Sequence, residues 1–298
     1  MKKVIFSWLQ AARLPSLSYI LIPILLGTSI AYSKGYSIST YSLVCLLCYG
    51  VANQLFIVFG NDYADQETDA LNQTFTIFSG GSRTLVEGKL SPKSILYATI
   101  LFATFMLLLS IYFSILKNDL VFIILTLASI ALLYAYSYPP FKLSYRGGGE
   151  ILQALGVGFI LPLFAYRFFS LSFSDFELNL LPVLFLINLS CAMATSLPDY
   201  PSDLQSSKKT VTVTFGNLFV KISILILESI SFVYLLTILK NLNFPYSNIF
   251  ICIMVLCILF SFLGLKSKPK EKLLSMFVFF SILFTLSLQI HLILSFYF

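Results

Sequence analysis

Two short clusters of oxygen-bearing side chains carry the chemistry that this sequence could perform. The first is Asn61-Asp62-Tyr63-Ala64-Asp65-Gln66-Glu67-Thr68-Asp69 and the second is Asp199-Tyr200-Pro201-Ser202-Asp203. If the first is helical, Asn61, Asp65 and Asp69 recur at every fourth residue and share one face, while Asp62 is turned about 100° away and can only support them. Asp199 and Asp203 repeat the same spacing, and each cluster contains an Asp-Tyr pair, Asp62-Tyr63 and Asp199-Tyr200. One acidic cluster at a helix end is ordinarily a solvated or capping group. Two in matching positions differ, because facing rows of carboxylates repel and need cations between them. Every candidate ligand is an oxygen, which suits magnesium, an ion typically held by one or two carboxylates together with substrate phosphates.

The cations that a bound diphosphate needs lie close by in the sequence. Arg83 sits in Gly80-Gly81-Ser82-Arg83 after the first cluster, and Lys142 follows Tyr138 in a Tyr-x-x-x-Lys spacing with Arg146 just beyond. Lys208 and Lys209 follow the second cluster. Arginine grips phosphate oxygens bidentately, whereas lysine acts as a point charge. Each of these residues also has a plainer reading as a membrane-surface anchor. For Lys266, Lys268, Lys270 and Lys272, which have no acidic cluster or glycine-rich context, the anchor is the preferred reading.

The elements that must position these groups are membrane-spanning helices. Of 298 residues, 58% are hydrophobic and 11% charged, with a mean hydropathy of +0.91; a soluble domain carries roughly 25% charged residues. Apolar runs of about 20 residues recur along the chain, which favours spanning helices over the short alternating strands of a membrane barrel. Disordered, disulfide-stapled and nucleic-acid-binding classes are excluded. Nine spans are expected: Leu17–Ser33, Tyr41–Gly60, Ser94–Leu116, Leu120–Tyr138, Ile151–Phe169, Leu178–Leu197, Asn217–Leu239, Tyr246–Leu265 and Leu274–Tyr297. The connections are too short to hold a further domain, so residues 1–298 form a single membrane-embedded domain.

Basic residues set the orientation. Lys2, Lys3, Arg13, Arg83, Lys89, Lys93, Lys142, Arg146, Lys208, Lys209 and the lysines between Lys266 and Lys272 share one side, and only Lys34, Lys117, Arg167 and Lys240 fall on the other. The positive-inside rule then makes the N-terminus cytosolic and the C-terminus outer. Both acidic clusters lie at cytosolic ends, four spans apart on helices that run the same way, the pattern of a duplicated four-helix unit.

Other ionisable groups are less informative. Trp8, Arg13 and Pro15 read as an interfacial lead-in to the first span, and no cleaved signal peptide is expected. Cys45, Cys48, Cys191, Cys252 and Cys257 lie in apolar runs and imply neither disulfides nor zinc. Glu228 and Lys221 stand within the seventh span, where ionisable groups are costly and therefore functional suspects. They could pair across two turns, or Lys221 could snorkel to the surface. His291, near the outer end of the last span, reads as an interhelical polar contact.

On these residues the chain resembles the UbiA superfamily of intramembrane aromatic prenyltransferases. Asn61, Asp62, Asp65 and Asp69 match its Asn-Asp-x-x-Asp-x-x-x-Asp signature, and Asp199 and Asp203 match its second, Asp-x-x-x-Asp. Lys208, Thr210 and Gly216 follow as the family's Gly-Lys-x-Thr and later Gly do, with Ser207 in place of the first Gly. Tyr138 and Lys142 fit its Tyr-x-x-x-Lys, the stretch from Tyr136 to Glu150 resembles its connection between two central spans, and Arg13 resembles the Arg before its first span. The stretch from Ser79 to Pro92 is most similar to the naphthoate prenyltransferases of menaquinone synthesis.

The resemblance implies an all-helical bundle of nine spans around a central cavity that opens near the cytosolic face. Magnesium would be held by Asn61, Asp65, Asp69, Asp199 and Asp203, with Asp62 in support. The diphosphate of an isoprenyl donor would be met by Arg83, Lys142, Arg146 and Lys208, with Arg83, Lys142 and Tyr138 in the catalytic step. The acceptor implied is 1,4-dihydroxy-2-naphthoate, with 4-hydroxybenzoate, homogentisate or a tetrapyrrole as alternatives. No nucleic acid and no obligate protein partner is implied, and the expected location is the bacterial cytoplasmic membrane. A transporter also uses carboxylates in a helical bundle, but its sites usually lie near the bilayer midplane on broken helices. The Asp-Gly-x-x-Ala-Arg signature of the CDP-alcohol phosphotransferases is absent.

Overall fold

The computed structural model describes residues 2–76, 78–238 and 244–298. The expected end of the seventh span at Leu239 and the outer-side Lys240 lie outside the described residues. Among the described residues, fourteen α-helices follow in order: α1 (Lys2–Ala11), α2 (Ser18–Ser33), α3 (Thr40–Leu71), α4 (Pro92–Lys117), α5 (Val121–Ser137), α6 (Leu143–Arg146), α7 (Gly149–Leu155), α8 (Leu161–Ser170), α9 (Leu180–Ser196), α10 (Tyr200–Gln205), α11 (Val211–Phe215), α12 (Asn217–Ile238), α13 (Ser247–Leu263) and α14 (Lys272–Tyr297). A single-turn π-helix, Gly156–Ile160, joins α7 to α8, so together they cover the expected fifth span. Among the described residues there is no strand, only an isolated bridge between Thr76 and Ser79.

Among the described residues, six helical stretches are long and apolar enough to cross a membrane: Lys3–Ser33, Thr40–Leu71, Pro92–Lys117, Gly149–Ser170, Asn217–Thr237 and Lys272–Tyr297. The other three expected spans correspond to α5, α9 and α13, each an apolar helix of 17 residues, about 26 Å long against a hydrocarbon core of about 30 Å. At 32 residues, α3 extends about 48 Å, so its C-terminal third projects past any such core. That projecting third carries the first acidic cluster.

The bundle packs α2 along α8, α3 along α4, α9 along α12, and α13 along α14. Gly27 permits the first of these contacts, because a Cβ there would stand 2.1 Å from the backbone oxygen of Pro162. Without a hydrophobic force between helices in lipid, such close backbone approach is a main source of association. At Gly158, within the π-turn, a Cβ would meet the Leu184 carbonyl oxygen of α9 at 2.9 Å. One half of the core is aromatic: Tyr49 stacks on Phe164 with centroids 4.3 Å apart, and Phe113 meets Phe168 edge-on at 4.7 Å. The Arg167 Nε donates to Asp119 at 2.6 Å, and Lys34 pairs with Glu177.

Lys221 and Glu228 do not pair. The Lys221 ammonium donates to the carbonyls of Gly264 at 2.9 Å and Ser267 at 2.8 Å, capping the C-terminal end of α13. The Glu228 carboxylate is fully buried and has no hydrogen-bond partner among the described residues. His291 Nε2 meets Ser247 Oγ at 2.9 Å, an interhelical contact of the kind expected. The five cysteines are free.

Candidate active site

A cavity of about 280 Å³ opens between the two acidic clusters and runs into the bundle. Asn61, Asp65, Asp69, Asp199, Asp203 and Lys208 all line it. Because α3 continues unbroken to Leu71, Asn61, Asp65 and Asp69 occupy one face as their spacing predicts, and Asp62 lies off it. Asp62 instead pairs with Arg13 and accepts hydrogen bonds from the backbone N–H and hydroxyl of Ser82. It ties the N-terminal segment and the loop after α3 to the helix without lining the cavity.

The second cluster is fastened to the first by the residue that ends α3. The Asn72 Nδ2 donates to Asp199 Oδ1 at 2.7 Å while its Oδ1 accepts from the Thr74 N–H at 2.8 Å. The Gly80 N–H donates to the other Asp199 oxygen at 3.2 Å. The loop reaches this position through left-handed backbone at Gly80, Gly81 and Arg83, with φ of 81°, 71° and 65°. Gly81 is required twice over, since a Cβ there would also fall 1.9 Å from Asp69 Oδ2.

Lys208 crosses the gap between the clusters. Its ammonium lies 3.0 Å from Asp65 Oδ2, and Tyr145 donates to the other Asp65 oxygen at 3.0 Å. Burial pulls the Lys208 ammonium towards deprotonation, but Asp65, Tyr136 and Asp203 outweigh it and hold the pKa well above that of an ordinary lysine. It is thus a fixed positive charge at neutral pH. Lys208 and Arg13 both line the cavity, yet they do not neutralise the Asp65, Asp69, Glu150, Asp199 and Asp203 carboxylates that line it with them. Burial, opposed by Lys208, pushes the Asp203 carboxyl up to about 7, with the Asp199 and Asp65 charges adding to the rise. Burial raises Asp199 as well.

Among the described residues no three His, Cys, Asp or Glu side chains converge as a ready-made metal cage. The donor set nevertheless fits magnesium. The oxygens line a single cavity, their carboxylates are short of positive charge, and this ion keeps waters and phosphate oxygens in its shell in place of protein ligands.

Of the remaining expected site residues, Arg83, Lys142, Arg146 and Tyr138 do not line the cavity. The Arg83 guanidinium binds the Asp69 carbonyl and stacks 4.6 Å from the Phe75 ring centroid. Lys142 lies over the Tyr145 ring at 3.7 Å, Arg146 is exposed, and Tyr138 donates its hydroxyl to the Gly60 carbonyl at 2.7 Å. Sequence spacing did not single out Asn72, Tyr145 or Glu150, whose carboxylate lines the cavity and accepts from the Val211 N–H at 3.0 Å. Tyr145 stood three residues from Lys142 in the connection already under suspicion; Asn72 carried no signal, because its role depends on contact with a residue far along the chain.

The comparisons with known proteins agree with this architecture. The model of the UbiA prenyltransferase family matches residues 20–283. A UbiA homolog from Archaeoglobus fulgidus bound to GPP and Mg2+ superposes with a TM-score of 0.71 at 18% identity, over 96% of this chain and 99% of that one. The apo UbiA homolog from Aeropyrum pernix K1 gives 0.66 at 12% identity, over 90% and 96%. A digeranylgeranylglyceryl phosphate synthase gives 0.65 at 17% identity, over 100% and 99%. No curated protein sequence matches the chain significantly. With its two acidic signatures on one cavity and the family model covering most of its length, the chain belongs to the UbiA prenyltransferase family.

Proposed function

We propose that this protein transfers an isoprenyl group from an isoprenyl diphosphate to an aromatic acceptor, 1,4-dihydroxy-2-naphthoate, at the cytosolic face of a bacterial membrane, with magnesium as its cofactor. The observation that carries the reading is the joining of both carboxylate clusters and a permanently charged Lys208 at the mouth of one cavity. Binding of GPP and Mg2+ by the Archaeoglobus homolog supports the donor and the metal. Likeness of the stretch from Ser79 to Pro92 to naphthoate prenyltransferases supports the acceptor.

Asn61, Asp65, Asp69, Asp199 and Asp203 are the groups that would hold the ion. Bound there, magnesium supplies neutralisation of the diphosphate as the allylic C–O bond breaks. Lys208 adds a charge that is already in place before substrate arrives, so little reorganisation is needed as negative charge collects on the leaving group. Arg83, Lys142 and Arg146 serve as further phosphate cations, and the Tyr138 hydroxyl ties the start of the connection that carries two of them to the Gly60 carbonyl of α3. Deeper in, Ile57, Val58, Leu132, Leu133 and Leu161 form apolar wall that keeps water from the allylic cation. The electron-rich ring then attacks C1 of the prenyl group, and the carboxyl group of the naphthoate leaves as carbon dioxide.

The test supplies membranes containing the protein with one prenyl diphosphate, magnesium, and equal concentrations of the naphthoate, 4-hydroxybenzoate and homogentisate. Preference for the naphthoate is expected. Preference for either single-ring acceptor overturns the acceptor while keeping the prenyltransferase, and no transfer to any ring overturns the activity.

A further inference from the structure

The helix that precedes the first span is not continuous with it. Arg13 takes left-handed backbone, with φ of 45°, between α1 and α2, so the chain turns there and α1 is held by other elements. Ala11 is buried with Phe59 of α3 and Ile95 in the first turn of α4, and Trp8 meets Phe59 edge-on with ring centroids 5.6 Å apart. Phe59 precedes Asp62 by three residues, about 4.5 Å along the axis. α1 therefore sits at the level where α3 leaves the apolar bundle and its acidic cluster begins.

The two faces of α1 differ. Ser7 and Ala11, four residues apart, are buried, while Ile5, Phe6 and Leu9 share the opposite face and are 53%, 70% and 45% exposed. An apolar stripe at the edge of a membrane is met by lipid, and the charges say which lipid. α1 carries Lys2 and Lys3 and no acidic residue. Both lysines stand in its first turn, where the helix dipole disfavours positive charge, so they do nothing for the helix itself and serve an anion outside it. Lys89 and Lys93, beside the turn of α4 that receives Ala11, are exposed, and the exposed Glu87 carboxylate of this loop is already paired with Lys89. A helix with lysines beside an apolar stripe is the form that settles into the headgroup region of an anionic bilayer. α1 also grips the loop over the site: Gln10 Nε2 donates to the Ser82 carbonyl at 2.7 Å and Gln10 Oε1 accepts from Lys89 at 2.8 Å, while Ser82 donates its N–H and hydroxyl to Asp62, the partner of Arg13.

We propose that α1 docks into the headgroup region of an anionic phospholipid bilayer through Ile5, Phe6, Leu9 and Lys3, and that this seating, passed through Gln10 to Ser82, holds the loop from Gly80 to Arg83 against the acidic clusters. The apolar stripe supplies the affinity and the lysines make it depend on lipid charge. Neither half depends on which reaction the cavity carries out.

The test uses the whole chain in nanodiscs of phosphatidylcholine brominated near the headgroup end of its chains, with and without phosphatidylglycerol. Trp8 is the single tryptophan, so its fluorescence reports on α1 alone. Quenching of Trp8 is expected to rise by about twofold or more when phosphatidylglycerol is included and to fall back in high salt. Lys3→Glu and Phe6→Ser, both at exposed positions, should lose that rise. Hydrogen exchange across residues 79–83, followed by mass spectrometry in the same discs, should slow with phosphatidylglycerol in the wild type and not in Lys3→Glu. Gln10→Leu should keep the quenching and lose the slowed exchange, which separates the seating of α1 from its hold on the loop. Quenching indifferent to phosphatidylglycerol overturns the anionic surface as the occupant, and Trp8 left unquenched in every bilayer overturns lipid docking and gives the face to a protein partner or a second copy. Charge-dependent quenching with unchanged exchange in the wild type overturns the hold on the loop.

Discussion

Asp65 accepts from Lys208 and Tyr145 while lining the cavity where a cation is needed. Replacing it by Ala strands a buried ammonium, and loss of one partner of a buried pair costs about 3 to 5 kcal/mol. Asp65→Asn is the cleaner test, since the amide oxygen still accepts from Tyr145. Turnover at saturating magnesium is expected to fall by about 10²-fold or more in Asp65→Asn and Asp199→Ala, with helical content by circular dichroism unchanged; near-wild-type rates in either would remove that residue from the metal set. Asp62 belongs to a different class. Because it holds Arg13 and Ser82, Asp62→Asn should lower the thermal midpoint while leaving the magnesium concentration for half-maximal rate unchanged. Arg83→Lys keeps the charge and loses the fork, so kcat/KM is expected to drop by an amount corresponding to about 1.5 to 3 kcal/mol. Lys268→Ala should leave turnover alone, and a large loss there would give the loop between α13 and α14 a part in the site and not in anchoring.

At the scale of elements, two glycines decide whether helices and loop can approach as closely as they do. Gly81→Ala forces a left-handed residue and a Cβ onto the Asp69 carboxylate, so the expected effect is weaker magnesium activation with little change in the fold, read from the magnesium dependence of turnover. Gly27→Ala places its Cβ against backbone, the Pro162 oxygen, and not against a side chain that could turn aside. Overpacking of this kind costs about 1 to 3 kcal/mol, and the lowered midpoint should appear equally with and without magnesium. The apolar helices were legible because apolar runs of bilayer length have few alternatives in sequence, and among the described residues six of the nine expected spans are helices long enough to cross a membrane. The same reading missed the π-turn at Gly156–Ile160, since a bulge leaves the hydropathy of its run unaltered, and it gave no account of how Asn72 and Gly80 come to meet Asp199, since that is set by contacts and not by periodicity.

For the whole molecule, ligand binding and topology can be tested together. A site completed by magnesium and an isoprenyl diphosphate stabilises the folded state by mass action, about 2.7 kcal/mol at a hundredfold excess over Kd, so the two together should raise the thermal midpoint more than either alone. A midpoint indifferent to both would argue against any anion and cation sharing this mouth. In a cysteine-free background, Cys introduced at Lys268 should react with an impermeant reagent only from the cytosolic side and Cys at Lys34 only from the outer side; the reverse pattern would invert the orientation read from charge. What the sequence determined by itself was the class of molecule and its ligand chemistry: composition demands a bilayer, and four-residue spacing on a helix places Asn61, Asp65 and Asp69 on one face wherever that helix goes. Tertiary structure alone decided which charges share the cavity. Lys208 meets Asp65 across 143 residues and Asn72 meets Asp199 across 127, while Arg83 and Lys142, equally plausible by spacing, rest on Phe75 and Tyr145. The reason is physical: helical periodicity fixes the direction of a side chain relative to its own axis, whereas the partner it finds depends on how separate helices and loops pack, and no local pattern encodes that.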